Sequence, residues 1–282
     1  MWDPAQYLRF ADERSRPFFD LTARIRATAP RYVVDLGCGP GQLTATLAVR
    51  WPGSQVEGID SSAEMIAAAQ QMLDEDASAA GQCGSLPDAA RTGAGAAGAG
   101  QAGCLSFRLG DVNDWRPDRP ADVIVSNALL QWVPAHMDLL PRWAAGLSSG
   151  GWLAFQLPAN FDQPSHAILR ELAASPRWRD ELAGVPLNRQ SANPAEYLDL
   201  LAGLGLTVDA WETTYLHVLT GADPITDWYK GTGLRPVLNV LQPADGAAFL
   251  AEYGERARQA YPAASYGTVL PFRRVFVVAQ KP

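Results

Sequence analysis

Tyr32-Val-Val-Asp-Leu-Gly-Cys-Gly-Pro-Gly41 sets the reading of the chain. Tyr32, Val33 and Val34 make a short buried-strand pattern. Asp35 and Leu36 follow, then three glycines at alternate positions, then an amphipathic run from Gln42 to Arg50. The spacing predicts a strand, a tight turn and a helix start. Glycine has no Cβ, so such a turn lets a ligand approach the backbone closely. The first turn of a helix presents N–H groups without intrahelical partners and a partial positive charge. The dinucleotide pattern G-x-G-x-x-G places its third glycine one position later; here the spacing is G-x-G-x-G, with Asp35 ahead of it. Asp35, Gly37, Gly39 and Gly41 are therefore candidate cofactor contacts. The alternative is a glycine-rich turn with no ligand.

Working outward, Val56-Glu-Gly-Ile-Asp60 reads as the second strand and ends on a carboxylate 25 residues beyond Asp35. A carboxylate there accepts hydrogen bonds from both ribose hydroxyls of a nucleoside ligand. Ser61-Ser62-Ala-Glu64 opens a helix with good capping residues, with Ser61 at the rim. Met65 falls where it either packs on an adenine face or joins the helix core. Leu105 to Asp111 reads as the third strand and its exit, with Asp111 and Val112 beside the adenine. Ala121 to Asn127 is the fourth strand. Ligands of open α/β sheets bind at the carboxyl ends of strands near the switch point, and four successive strands end here in polar or glycine residues aimed at one crevice.

The remaining chain elaborates this core. Residues 1–29 suggest two short helices split near Pro17 that form a lid, with Trp2 and Trp132 as possible pocket walls. Residues 74–103 are dominated by Ala, Gly, Ser and Asp, too little side chain to offset ordering entropy, and read as a flexible Gly/Ala-rich insertion. Trp152 to Gln156 is strand five, Val208 to Leu219 strand six, and Arg273 to Ala279 strand seven, antiparallel at or near the sheet edge. Helical patterning over 221–262 suggests a cap. The expected fold is α/β: one domain over 1–282, with a mixed seven-stranded sheet and helices on both faces.

Composition bounds the function classes. The 282 residues carry a net charge of −7, which argues against nucleic acid as a partner, since that binding starts from a basic surface. No apolar run approaches the about 20 residues of a membrane span. Three cysteines, Cys38, Cys83 and Cys104, show neither disulfide nor zinc spacing, so no metal is expected and a cytoplasmic location is the default. A monomer or homodimer is expected.

The motif E/D-x-G-x-G-x-G resembles motif I of the class I S-adenosylmethionine-dependent methyltransferases, a Rossmann-like family. The resemblance implies S-adenosyl-L-methionine as cofactor, with its amino-acid part over the glycines and with Asn127 and Arg14 among its contacts. Leu130-Gln-Trp-Val-Pro134, Trp211-Glu-Thr-Thr-Tyr215 with His217, Thr232-Gly-Leu-Arg-Pro236 and Pro271-Phe-Arg-Arg274 are similar to members of that family that esterify a small tricarboxylate. That implies methyl transfer to a carboxylate. A carboxylate has a pKa near ~4 and is already ionised at pH 7, so no general base and no catalytic residue in that sense is required. Arginine suits the other carboxylates, because its fork matches them bidentately. The acceptor candidates are Arg235, Arg273 and Arg274, with Tyr215, His217 and Tyr266 as hydrogen-bond partners. Arg273 and Arg274, adjacent on a strand, point to opposite faces, so at most one meets the acceptor from the strand. A methyltransferase acting on a different small acceptor is the alternative.

Overall fold

The computed structural model describes residues 11–80, 104–188 and 191–282, with side chains described from Ser15 to Glu75 in the first segment. Helix α1 (Ala11–Thr22) precedes an alternating core: β1 (Tyr32–Leu36), α2 (Gln42–Arg50), β2 (Gln55–Asp60), α3 (Ala63–Ala80), β3 (Cys104–Leu109), β4 (Ala121–Asn127), α4 (His136–Ala145) and β5 (Leu147–Pro158). Then come α5 (Pro164–Ala173), α6 (Pro194–Gly203), β6 (Thr207–Leu219), α7 (Pro224–Lys230), α8 (Arg235–Leu238), α9 (Pro243–Ala260), β7 (Ala263–Ala264) and β8 (Gly267–Gln280). The strand order is β3-β2-β1-β4-β5-β8-β6, with the two-residue β7 paired to β8. β1 to β5 run parallel, whereas β8 is antiparallel to both β5 and β6. The sheet is mixed, as expected, and its order reverses between β1 and β4, which opens the crevice at their carboxyl ends.

Period-two alternation sorts the side chains into two cores. On one face Phe18, Leu21 and Ile25, with Leu47 and Trp51 of α2, pack on Val33, Val56, Val123, Val125, Phe276 and Val278. On the other, Leu139, Leu140 and Trp143 of α4 and Tyr197 and Leu201 of α6 pack on Val34, Ile124, Leu153, Val275 and Val277. A separate cluster joins α5, α7, α8 and α9 through Trp178, Trp228, Tyr229, Phe249 and Tyr253 to Leu270 and Phe272 of β8. The helices within 221–262 thus have a core of their own beside the ends of β6 and β8.

Three local expectations differ from what is observed. Residues 11–22 form one helix with Pro17 inside it, not two helices split there. A mid-helix proline costs about 3 kcal/mol, but Phe18 and Leu21 are fully buried, at about 1.5–3 kcal/mol each, which offsets that cost. α3 runs on to Ala80, so the first residues of the expected insertion continue the helix; residues 81–103, including Cys83, lie outside the described residues, as do residues 1–10 of the expected lid with Trp2. Finally, β8 starts at Gly267 rather than Arg273, although it is antiparallel and near the sheet edge as expected, one strand in from β6. Gly267 and Pro271 disguise the first half of that strand; thirteen residues of β6 pair with β8 from Thr268 to Gln280 in unbroken register.

Candidate functional site

The glycine turn leaves β1 and enters α2 with Gly37, Gly39 and Gly41 at φ +78°, +55° and +84°, the left-handed region that glycine enters without a Cβ penalty. The N–H groups of Gly37 and Cys38 donate to the Ile59 carbonyl at 2.7 and 3.1 Å, tying the turn to β2. The three glycines differ in what surrounds them. A Cβ on Gly37 would meet Leu129 at 2.9 Å and one on Gly41 would meet Phe107 at 2.6 Å, but one on Gly39 would meet nothing within 4 Å. Gly37 and Gly41 therefore serve packing, and Gly39 fronts open space. Asp60 closes the turn: its Oδ2 accepts from Gly39 N at 3.0 Å and its Oδ1 from Ser62 N at 2.9 Å. A carboxylate offers about four lone-pair sites, so two such bonds leave capacity for a ligand's hydroxyls.

Asp35 lies beneath the turn. It is buried, and its Oδ2 accepts from Thr44 Oγ1 of α2 at 2.6 Å, while Oδ1 has no hydrogen-bond partner among the described residues. Burial pushes its carboxyl up to about 7; the Thr44 hydrogen bond works against that rise and the nearby Asp60 adds to it. Asp35 thus ties α2 to β1 from below. Cys38 is buried and burial pushes its thiol up, so it fills space as a neutral group.

Around the crevice, Ser61 is exposed. Ser62 caps α3 by accepting from Met65 N at 3.3 Å. Met65 is half-buried and belongs to none of the hydrophobic clusters. Asp111 is exposed and its Oδ1 accepts from both the backbone N and the side-chain Nδ2 of Asn113 at 2.8 Å. Val112 is buried against Ile59 and Trp115. At the end of β4, Ala128 is the one described non-glycine residue with positive φ, at 54°. That conformation costs an L-residue about 1–2 kcal/mol. It turns the chain so that Leu129 packs against Gly37.

Asn127 leads into a second group of residues. Its Oδ1 accepts from Nε2 of the buried Gln156, whose Oε1 accepts from Arg274 Nη1 at 3.0 Å. Arg274 is 4% exposed and its guanidinium lies 4.7 Å from the Phe272 ring centroid. On β6, Tyr215 and His217 stack beside it. The Tyr215 hydroxyl donates to Asp20 Oδ2 of α1 at 2.7 Å, and Arg16 of α1 lies over the Tyr215 ring. His217 sits between Tyr215 and Trp228, and its Nε2 has no hydrogen-bond partner among the described residues. Burial pushes the imidazole down to about 4, helped by Arg274 and Arg16, so it is neutral at pH 7. Burial pushes the phenol of Tyr229 up, an effect that its hydrogen bonds and the nearby Arg274 partly offset; it accepts from Asn160 Nδ2 and Ser165 Oγ, both at 2.9 Å. Four strands, α1 and α7 thereby bring one buried guanidinium together with Gln156, Tyr215, His217 and Tyr229.

The other candidates fall elsewhere. Arg273 points to the opposite face, as adjacency required. It pairs with Glu212 at 2.9 Å and Asp162 at 3.4 Å and borders a separate cleft with Arg170, Asn188 and Ser191. Arg235 is half-buried at the start of α8, and no described contact joins it to Arg274. Tyr266 is 64% exposed in the turn between β7 and β8. The side chain of Arg14 lies outside those described, and Trp132 is exposed. His136 is a packing residue bonded to the Tyr197 hydroxyl at 2.7 Å, and His166 lies edge-on to Phe161 and Tyr229. Sequence reasoning missed Asp20, Thr44, Gln156, Asn160 and Tyr229. Only Gln156 carried a signal, as a polar residue in an apolar strand.

Residues 8–224, which span β1 to β6, match a methyltransferase domain family. A trans-aconitate 2-methyltransferase of Streptomyces avermitilis is 52% identical over 99% of this chain and 97% of its own length. One of Mycobacterium tuberculosis is 42% identical over 99% and 97%. Among solved structures, the YcgJ protein of Bacillus subtilis matches with a TM-score of 0.56 at 14% identity over 95% of this chain and 98% of its own. Geranyl diphosphate C-methyltransferase of Streptomyces coelicolor, solved with S-adenosyl-L-homocysteine, matches at 0.51 and 16% identity over 98% and 82%. At such identities the structures speak for the fold alone. The family match takes in the glycine turn, Asp60, Asn127 and both stacked residues of β6, and the chain belongs to this methyltransferase domain family.

Proposed function

We propose that the chain transfers the methyl group of S-adenosyl-L-methionine to a carboxylate oxygen of trans-aconitate, giving the monomethyl ester and S-adenosylhomocysteine. The observation that carries the acceptor reading is Arg274: a buried guanidinium on the crevice side of the sheet, joined to the end of β4 through one glutamine. The names of the relatives point the same way.

The donor side fits the residues present. Gly39 fronts open space where a Cβ would fill the cradle, Asp60 keeps lone pairs for ribose hydroxyls, and the half-buried Met65 with Asp111 and Val112 borders the adenine. Ser61, Asn127 and Arg14 complete the donor contacts, with Gly37 and Gly41 shaping the turn and Asp35 holding it from beneath. When bound, the sulfonium supplies an electrophilic methyl group and a neutral thioether as leaving group. On the acceptor side, Arg274 holds a carboxylate that does not react. At 4 Å and an effective dielectric of 20, such a pair attracts by about 4 kcal/mol. His217 and Tyr215 line the same space as neutral groups, whereas Arg273 lies on the opposite face and Arg235 and Tyr266 stand apart from Arg274. The attacking carboxylate is ionised without help, so the residues orient it and exclude water. That agrees with a site whose one histidine is held neutral. Residues 1–29 act as the lid and 221–262 as the cap of a single domain, which works in the cytoplasm as a monomer or homodimer without nucleic acid. No described helix is long and apolar enough to cross a membrane.

Incubation with isotopically labelled S-adenosyl-L-methionine and trans-aconitate, followed by mass spectrometry, tests the reading. A labelled monoester is expected. No methylated product from trans-aconitate, cis-aconitate, isocitrate or citrate would overturn it.

A further inference from the structure

Gln156 lies near the end of β5 with no exposed surface, after Leu153, Ala154 and Phe155, all equally buried. A buried amide is unfavourable unless both its ends are hydrogen-bonded, and both ends of this one are. Register places Asn127 directly beside it on β4 and Phe276 directly beside it on β8, two residues from Arg274. The amide's orientation follows from its partners. Turned over, it would set its NH2 against Arg274 Nη1, donor to donor, and its oxygen against Asn127 Oδ1.

We propose that Gln156 is a positioning residue for the acceptor: it fixes the Arg274 fork against Asn127 while adding no charge of its own. This rests on the reading that Arg274 holds an acceptor carboxylate and that Asn127 borders the methyl donor. One amide oxygen occupies one of the five guanidinium donors and restricts how the fork turns. A carboxylate in the same place would hold Arg274 more tightly, but it would also face each incoming acceptor carboxylate with like charge. The amide separates the two effects. Its other end fixes Asn127, so the groups that orient donor and acceptor share one rigid link across β4, β5 and β8.

Gln156→Glu is isosteric and adds a charge, and the Asn127 amide turns over to donate its Nδ2 to the new carboxylate, so both contacts persist; Gln156→Leu removes both hydrogen bonds and tests orientation. The probes are trans-aconitate and glutaconate, the same skeleton without one carboxylate. Gln156→Glu is expected to raise KM for trans-aconitate at least tenfold and for glutaconate by a clearly smaller factor. The Kd of S-adenosylhomocysteine should stay within about twofold. Gln156→Leu is expected to lower kcat, with KM rising by a similar factor for both acids. A Gln156→Glu variant whose KM moves less than threefold, or moves equally for both acids, overturns the proposal. Should that variant melt well below the wild type, Gln156→Asn is read instead. It keeps a neutral amide one methylene short, so a tenfold fall in kcat with charge-independent KM supports the proposal and an unchanged kcat overturns it. Calorimetric titration of wild type with trans-aconitate in the presence of S-adenosylhomocysteine separates the two levels. Absence of both turnover and binding in the wild type refutes the functional reading and this inference with it; wild-type turnover with a charge-blind Gln156→Glu refutes this inference alone.

Discussion

Alanine at Gly39 and at Gly41 should fail in opposite ways. Both residues have positive φ, but their surroundings differ. At Gly39, φ of +55° falls in the left-handed region, where an added Cβ costs about 1–2 kcal/mol, and the Cβ enters open space. The melting temperature should drop by only about 2–8 °C. The new methyl group, however, stands where the ligand approaches the backbone. S-adenosylhomocysteine should bind at least tenfold more weakly, a loss of about 1.4 kcal/mol or more. At Gly41 the backbone cost is similar, and the Cβ also overlaps Phe107 at 2.6 Å and Ala69 at 2.9 Å. Overpacking adds about 1–3 kcal/mol, so Gly41→Ala should be the less stable protein even without ligand. Thermal melts with and without S-adenosylhomocysteine, alongside calorimetry, read both effects. Ligand at 100 times Kd should stabilise wild type by about 2.7 kcal/mol, and Gly39→Ala should lose half of that or more at the same concentration. If Gly39→Ala binds as wild type does, the open side of the turn is not the ligand side. If it melts below Gly41→Ala, the packing argument is wrong.

Other outcomes follow from the same geometry. Asp35, raised to about 7 from 3.8, prefers its protonated form in the native state, so its contribution is complete below pH about 4 and is lost as pH rises through about 7. Asp35→Asn should remove this fall, which is on the order of 4 kcal/mol in all and about 3 kcal/mol between pH 5 and pH 8, where urea denaturation would show it; an equal change in stability with pH in both proteins would exclude it. Arg274→Lys keeps a charge but loses the planar fork; KM for trans-aconitate should rise about tenfold with S-adenosylhomocysteine affinity unchanged, and a joint loss would assign Arg274 to the donor instead. Tyr215→Phe removes the bond to Asp20, worth about 1 kcal/mol, and hydrogen exchange in α1 should accelerate before the rest of the sheet does. Uniform acceleration would mean that the bond does not anchor α1.

The glycine-turn half of the candidate site was legible because its signals are local. Asp35, Gly37, Gly39 and Gly41 share one turn, and Asp60 and Asn127 end strands whose apolar runs are unmistakable. The group around Arg274 is assembled from residues far apart in the chain. Asp20 meets Tyr215 across 195 positions and Gln156 meets Arg274 across 118, and no periodicity reports such pairings. Adjacent arginines gave the rule that only one faces inward, but not which; β8 decides it, because Arg274 shares parity with Phe272, Phe276 and Val278. Pro17 misled for a related reason: local propensity argued for a break, and burial of Phe18 and Leu21 prevailed. Arg235 and Tyr266 carried motif resemblance, which says nothing about where a side chain lands.

Strand β8 leaves the ribosome after every other element described, yet it belongs between β5 and β6. Until it arrives, β6 has no neighbour in the sheet, β5 has an open edge, and Gln156 has nothing to hold on that side. Its pairing with β5 spans well over a hundred residues, and such non-local contacts form slowly. A nascent chain can therefore shape the glycine turn early but cannot yet place Arg274. Translation stopped short of Gly267 should yield a product with an unpaired strand edge, prone to aggregate and to be cleared by quality control rather than to persist as a half-active enzyme.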